Sequence, residues 1–221
     1  MEKTDNKIRL LLADDQKIVR DGLKAVLEQN DDMKVVGVAS DGRTAVEQTS
    51  KLAPDVVIMD ISMPDLNGVD ATGRIMESLA DVKILCLSIH RKTHFVNAML
   101  EAGASGYLLK KSAGDELVDA VRTVMNDEVY LSTPVATDVI KHNRGDENHV
   151  STTNNFLDLT AREREVLQLI AEGVPASEIA KQLCISSKTV FAHRQKVMEK
   201  LELDSTVEIV KYALREGLVE L

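Results

Sequence analysis

The stretch Pro54-Asp-Val-Val-Ile-Met-Asp60-Ile-Ser-Met-Pro64-Asp-Leu-Asn-Gly68 decides how this chain folds. Val56 to Met59 is an unbroken apolar run, too short for a helix of its own and rich in β-branched residues. It reads as a strand buried on both faces, as in a parallel sheet covered by helices. The run ends on a carboxylate. Asp60 therefore falls in a loop at the C-terminal edge of the sheet, where open α/β sheets place their ligands. Pro64, Asn67 and Gly68 then turn the chain into a helix. Alone, an Asp here serves equally well as a strand end or a helix cap, so the flanking sequence has to break the tie.

On either side the pattern repeats. Ile8 to Ala13 reads as a second buried strand, ending in Asp14-Asp15, and from Gln16 the spacing of Val19, Leu23, Val26 and Leu27 predicts a helix. Further strands are expected over residues 33–39, 83–88 and 106–109. Helices are expected from Asp41 through Leu52, then over 69–79, 93–102 (closed by Gly103) and 113–125. Strict β/α alternation predicts a five-stranded, doubly wound parallel sheet with right-handed crossovers. The residues that stop the strands carry the chemistry: Asp14 and Asp15 after the first, Asp60 after the third, Ser88 after the fourth and Lys110 after the fifth. All five converge on one edge.

Three carboxylates in close quarters repel, which favours a hard divalent cation bound through oxygen, and Mg²⁺ suits a site that leaves room for waters and phosphate oxygens. Lys110 offers a point charge to a phosphate oxygen and Ser88 a hydroxyl donor. Asp60 is then placed for in-line attack on a phosphoryl group, with an acyl phosphate on Asp60 as product.

Composition sets the limits. The 221 residues suffice for two ordinary domains, and the net charge of −9 argues against a nucleic-acid coat or a membrane-surface role for the chain as a whole. The charge is uneven. Residues 1–141 carry 17 Lys/Arg against 23 Asp/Glu, whereas Ser186 to Lys200 carries Lys188, Arg194, Lys196 and Lys200 against Glu199 alone. A local basic patch in an acidic protein is an electrostatic footprint of nucleic acid. Cys86 and Cys184 lie in apolar stretches without metal or redox spacing, so both read as small core residues in a reducing compartment. The N-terminus lacks the apolar core of a signal peptide and no run reaches membrane-spanning length, so a cytoplasmic protein with no membrane partner is expected.

Asp14-Asp15, Asp60, Ser88 and Gly106-Tyr-Leu-Leu-Lys110, in this order and spacing, resemble the conserved quintet of the bacterial response-regulator receiver domain over about residues 8–127. The resemblance implies a flavodoxin-like fold and phosphorylation of Asp60 by a partner sensor histidine kinase. It makes Asp14, Asp15, Asp60 and the Ser62 backbone carbonyl the Mg²⁺ ligands. It pairs Ser88 with Tyr107 as a switch, the hydroxyl moving toward the phosphoryl group and the ring turning inward. One departure is Lys111, where many receivers carry proline.

Beyond residue 127 a short helix over Pro134 to Lys141 is expected, then a polar stretch from His142 to Asp158 that cannot bury a core and reads as a tether. Order restarts at Leu159. Thr160 and Glu163 have capping-box spacing before the stripe Val166, Leu167, Ile170 and Ala171. Gly173 ends that helix, Pro175 opens a second and Ser186 caps a third that runs through Leu201. Asp204 or Ser205 caps a fourth. Two short helices joined by a turn, the second basic, form a helix-turn-helix.

Leu159-Thr-x-Arg-Glu-x-Glu-Val-Leu167, Glu178-Ile-Ala180, Ile185-Ser186 and Thr189-Val190-x-x-His193 are similar to the four-helix LuxR-type DNA-binding domain. With a receiver this is the architecture of the NarL/FixJ subfamily. The divisions expected are a receiver over 1–127, an exit helix and linker over 128–158, and a helix-turn-helix domain over 159–221. By this resemblance Phe191, Ala192 and Gln195 meet base edges, with Thr189 beside them, while Lys188, Arg194, Lys196 and Lys200 hold phosphates.

The function this implies is a phosphorylation-activated transcription regulator. Its partners are the kinase, promoter DNA, a second copy of the chain on phosphorylation, and RNA polymerase as a further candidate. It is an acceptor rather than a dedicated enzyme. The fourth helix, with Val207 and Val210 partly outward, and the receiver surface near Tyr107 are the expected dimer contacts. The tether also allows an unphosphorylated receiver to fold back over the recognition helix. Two other classes remain open on the residues. An Asp-nucleophile phosphatase of the haloacid-dehalogenase kind would need a second Asp where Ser62 stands, and a protein-binding adaptor would show no salt-dependent DNA retention.

Overall fold

The computed structural model describes residues 7–144 and 158–219. Its first part alternates strand and helix: β1 (Ile8–Ala13), α1 (Lys17–Leu27), β2 (Met33–Ala39), α2 (Gly42–Leu52), β3 (Val56–Met59), α3 (Gly68–Ser78), β4 (Lys83–Ser88), α4 (Thr93–Glu101), β5 (Gly106–Leu109) and α5 (Ala113–Met125). A two-residue strand β6 (Tyr130–Leu131) and α6 (Thr133–Arg144) complete it. Four further helices follow: α7 (Ala161–Ala171), α8 (Ala176–Gln182), α9 (Ser187–Lys200) and α10 (Thr206–Glu216).

The strands form one sheet in the order β2-β1-β3-β4-β5-β6, every neighbouring pair parallel. Alternate strand residues face opposite ways, and this fixes two cores. Leu10, Leu12, Val56, Ile58, Leu85, Leu87 and Leu108 pack under Leu23 and Leu27 of α1 and Leu117, Val121 and Val124 of α5. Leu11, Val57, Met59, Ile84, Cys86 and Tyr107 pack on the opposite face with α2, α3 and α4. The order reverses at β1, between β2 and β3, and the crevice at such a reversal is where doubly wound sheets bind ligands.

The sheet has six strands rather than the five expected. β6 extends β5 through the register Gly106↔Tyr130 and Tyr107↔Leu131, and two residues carry no periodicity to read. The exit helix is longer than expected at its C-terminal end, taking in His142. The remaining expected tether, residues 145–157, lies outside the described residues. Cys86 is buried as expected, but Cys184 is exposed. It occupies the turn between α8 and α9 with φ of 53°, so it serves the turn and not the core.

Helix starts follow the sequence. Asp41 and Asn67 accept from Thr44 N and Asp70 N, Thr160 and Glu163 form a capping box, and Ser186 and Ser205 cap α9 and α10. Two glycines let the loops above the sheet edge close. A Cβ on Gly68 would stand 1.9 Å from the Asp60 carbonyl oxygen, and one on Gly42 would stand 2.0 Å from the Leu66 carbonyl oxygen. Gly73, on the same helix as Gly68, faces nothing within 4 Å.

That contrast yields a paired test. Gly73→Ala should stabilise the chain by about 0.4–1 kcal/mol through the unfolded state. Gly68→Ala should destabilise it by more than that, because backbone has to move. Thermal unfolding of the two variants should shift in opposite directions, and a Gly68→Ala variant as stable as the parent would contradict the close approach.

Candidate functional site: an acidic sheet edge and a helix-turn-helix face

β1 and β3 deliver Asp14 and Asp60 side by side, with Asp15 next in line, and β5 delivers Lys110 opposite. Asp14 and Asp60 are almost wholly buried, and Lys110 Nζ lies 2.7 Å from Asp14 Oδ2 and 2.8 Å from Asp60 Oδ2. Asp60 Oδ1 accepts from Ile61 N at 2.8 Å. Burial raises the Asp60 carboxyl to about 7, Lys110 pulling it down and Asp14 pushing it up. Burial alone would lower the Lys110 ammonium, but the Asp60 and Asp14 carboxylates hold it above its ordinary value. Desolvation thus outweighs the ion pair at Asp60, as expected where one cation faces several buried anions.

One oxygen from each of Asp14, Asp15 and Asp60 lies within 4.8 Å of the others. The donors are all oxygen and all anionic, with the Ser62 carbonyl on the adjoining loop, so the set fits a hard divalent cation such as Mg²⁺ and not a thiolate- or imidazole-seeking metal. Ser88 is fully buried at the end of β4, its Oγ accepting from His90 N at 3.1 Å. Tyr107 is 0% exposed and donates its hydroxyl to the His90 carbonyl at 2.8 Å. Its ring is already inward here, so inwardness alone does not mark the switched state, and a buried Tyr107 itself offers no surface to a partner. The Ser62 side chain is turned the other way, donating to the Gly217 carbonyl at 2.6 Å, with His90 Nε2 at 2.9 Å.

The second face is α9. Lys188, Phe191, Ala192, Gln195 and Lys196 are exposed, Phe191 to 54%. Thr189 is half-buried and its hydroxyl pairs with Ser186 at 2.8 Å, so it serves the helix cap. Arg194 and Phe191 border an apolar cavity of about 220 Å³ between α7, α8 and α9, and the buried Arg194 Nε has no hydrogen-bond partner. Lys200 departs from expectation: its ammonium binds Glu163 Oε2 at 2.7 Å and the Asp158 carbonyl at 3.0 Å, which ties α9 to α7. Lys200 is itself exposed, so the contact is a surface brace. Among the described residues the receiver does not cover the exposed side of α9, so the fold-back that the tether allows is not the arrangement seen.

What covers the receiver edge instead is α7 and the end of α10, a contact invisible in sequence. Arg164 Nη2 reaches Asp70 Oδ1 at 2.5 Å, and Gln168 bonds the Met63 carbonyl and Asn67 N at 2.7 and 3.0 Å. Glu165, buried, pairs with Arg74 and with Arg162. Glu165 and Gln168 are polar positions that read as solvated on a helix whose apolar stripe lies elsewhere, so no periodicity exposes their role. Among the described residues no helix is long and apolar enough to cross a membrane.

The raised Asp60 carboxyl has a consequence for stability. Because its folded value, about 7, exceeds the ordinary 3.8, the folded chain binds the proton more tightly and loses stability as pH rises from about 4 through 7. Asp60→Asn removes that loss. With divalent cations chelated, the gain in melting temperature from Asp60→Asn should be larger at pH 8 than at pH 5, and an equal gain at both would contradict the assignment.

The receiver family, described as the response regulator receiver domain, matches residues 10–122. The family described as bacterial regulatory proteins, luxR family, matches residues 157–213. The oxygen regulatory protein NreC of Staphylococcus carnosus is 39% identical over 216 residues, 96% of this chain and 100% of NreC. Among solved structures, RcsB from Salmonella enterica serovar Typhimurium bound to promoter rprA in the presence of phosphomimetic BeF₃⁻ superposes with a TM-score of 0.65 at 27% identity, over 94% of this chain and 98% of RcsB. A LuxR-family two-component response regulator from an Aurantimonas species gives a TM-score of 0.61 at 31% identity, over 62% of this chain and 99% of its own. With an acidic phosphorylation-type edge on a doubly wound sheet and an exposed basic recognition helix behind it, the chain belongs to the two-component response regulators that join a receiver to a LuxR-type DNA-binding domain, the NarL/FixJ subfamily of phosphorylation-activated transcription regulators.

Proposed function

We propose that Asp60 is the phosphoryl acceptor, loaded by a partner sensor histidine kinase, and that the phosphorylated chain pairs with a second copy to hold promoter DNA. The observation that supports this most is the Lys110 ammonium held between Asp14 and Asp60 at the C-terminal end of β3. An ionised Asp60 oxygen attacks phosphorus, the P–N bond to the kinase imidazole breaks, and that nitrogen keeps the electron pair. Lys110 moves from the carboxylate toward a phosphoryl oxygen, and Ser88 donates its hydroxyl to another. Asp14, Asp15, Asp60 and the Ser62 carbonyl would hold Mg²⁺, which would supply charge neutralisation for the transferring group. Attack needs the carboxylate, which burial disfavours in the metal-free site and a bound dication would favour. The chain is an acceptor and not a dedicated enzyme.

On DNA, Phe191, Ala192 and Gln195 meet base edges, while Lys188, Arg194 and Lys196 hold phosphates. Lys200, committed to Glu163, leaves this set. Pairing uses the outward side of α10, where Val207 is 62% exposed, and two modules on adjacent half-sites gain through effective concentration. RcsB has been solved as two dimers bound to two parallel DNAs, and one such dimer on one duplex is the assembly proposed for this chain. Such a dimer would work in the cytoplasm beside RNA polymerase.

Two experiments test this. Incubation with a small acyl phosphate and Mg²⁺ should add one phosphoryl mass, lost in Asp60→Asn and slowed about 100-fold in Lys110→Ala; labelling of Asp60→Asn would refute the acceptor. Lys196→Ala should weaken binding to all duplexes alike and reduce the salt slope by about one. A changed sequence preference would contradict its role.

A further inference from the structure

The cavity of about 220 Å³ beside α9 has a chemistry that DNA reading does not use. Its walls include Ile179 and Val190, which belong to the buried apolar cluster of the helical module, and Ile170 and Val174, which pack against that cluster. Phe191, 54% exposed, and Arg194 line it from the recognition helix. No carboxylate lies among the lining residues, so Arg194 brings the charge. That charge is unanswered. Arg162, Arg164 and Arg215, the other described arginines of the module, all pair with carboxylates. The Arg194 guanidinium has no hydrogen bond or ion pair among the described residues, and its Nε is shielded from solvent with nothing to bond.

An apolar cavity with one unpaired cation suits water poorly, because a buried water needs about two to four polar partners. It suits a molecule that is apolar over most of its surface and anionic at one end. Size narrows the class: an apolar cavity of roughly 150 Å³ admits benzene, so this one has room for a ring and a short chain. Charge narrows it further. With nothing holding it, the guanidinium can turn its Nε–H and one Nη–H side-on to an acceptor, the fork that matches the two oxygens of a carboxylate. A second charge would have to lie against Ile179 or Val190 and lose its hydration there, which disfavours a dianion. We propose that this cavity binds a small apolar monocarboxylate, its body against Ile179 and Val190 and its carboxylate on Arg194. The occupied site has a consequence for DNA. Arg194 is assigned a phosphate and Phe191 a base edge, so a bound acid takes the guanidinium and packs beside the ring that the duplex would use. Acid and duplex therefore oppose each other, and the helical module carries an effector input of its own that does not pass through Asp60. This coupling rests on the DNA-contact reading, whereas binding of the acid does not.

The test uses the unphosphorylated full chain, with hydrocinnamate as the probe and its neutral amide, the same body without the charge, as the control. On titration of the acid the backbone amide resonances of Val174, Ile179 and Val190 should shift, with a dissociation constant of about 0.1–1 mM for a ligand of this size. The neutral amide should bind about tenfold more weakly, as expected from loss of a charge-assisted hydrogen bond. Arg194→Gln, which breaks no contact of the fold, should bind acid and amide equally. Saturating acid should weaken binding of the parent chain to a duplex of arbitrary sequence by about tenfold and leave that of Arg194→Gln unchanged. Equal binding of acid and amide by the parent, a preference for the acid that survives Arg194→Gln, or shifts confined to other parts of the chain would overturn the site. Acid that binds at these residues with DNA affinity undiminished overturns the coupling, and with it the phosphate role given to Arg194, which separates the two failures.

Discussion

One ammonium set among buried carboxylates governs this structure. Lys110 lies within 2.8 Å of both Asp14 and Asp60, with Asp15 close by, so the sheet edge carries more negative charge than it can neutralise. Burial resolves part of the excess by lifting the Asp60 carboxyl to about 7. The rest is an electrostatic demand for a cation and, with it, an oxyanion that Lys110 can pair. The fold around the edge serves this placement. The apolar run Val56–Met59 threads Asp60 through the core, Gly68 lets α3 start against the Asp60 carbonyl, and Asn67 caps that helix.

What was legible in the sequence was whatever depends on local spacing. The strand ends identified Asp14, Asp15, Asp60, Ser88 and Lys110, and the structure gathers them because parallel strands all finish on one side. The capping residues Asp41, Thr160 and Ser186 fixed helix starts for the same reason: a cap is a contact across three residues. β6 escaped because two residues have no period, and the exposed Cys184 escaped because its apolar neighbours concealed a positive φ. Lys200 looked like any basic residue on a DNA-facing helix. Only tertiary structure brings Glu163, 37 residues earlier, beneath it.

The contact between modules was illegible for a different reason. Arg164, Glu165 and Gln168 occupy polar positions of α7, and a polar residue awaiting a partner looks the same in sequence as one facing water. Their counterparts lie about a hundred residues away, Gln168 bonding Asn67 across 101 positions. Hydrophobic periodicity marks which residues are buried and not which partner they meet: Leu159, Leu167 and Leu218 lie in one buried apolar cluster with Met63 and Leu66 of the receiver, beside the hydrogen bonds and ion pairs.

Charge then connects the two ends of the molecule. Phosphorylation replaces the single charge of an ionised Asp60 with the up to two charges of an acyl phosphate, and the wall of the cavity lined by Asp15 and Ser62 presents the Glu172 carboxyl, already raised above its ordinary value by burial. The Gly217 carbonyl also points its oxygen at Ser62. A carboxyl and a carbonyl oxygen facing the acceptor would oppose that added charge, so the loaded acceptor and the docked module would disfavour each other. Linkage makes this reciprocal: whatever holds the module away from the receiver must favour the loaded acceptor by the same free energy. A duplex bound on α9 has that effect only if it cannot be accommodated with the module docked. The exposed recognition face implies that a single site can be, so under the proposed pairing through α10 the coupling would enter at the step where two modules meet.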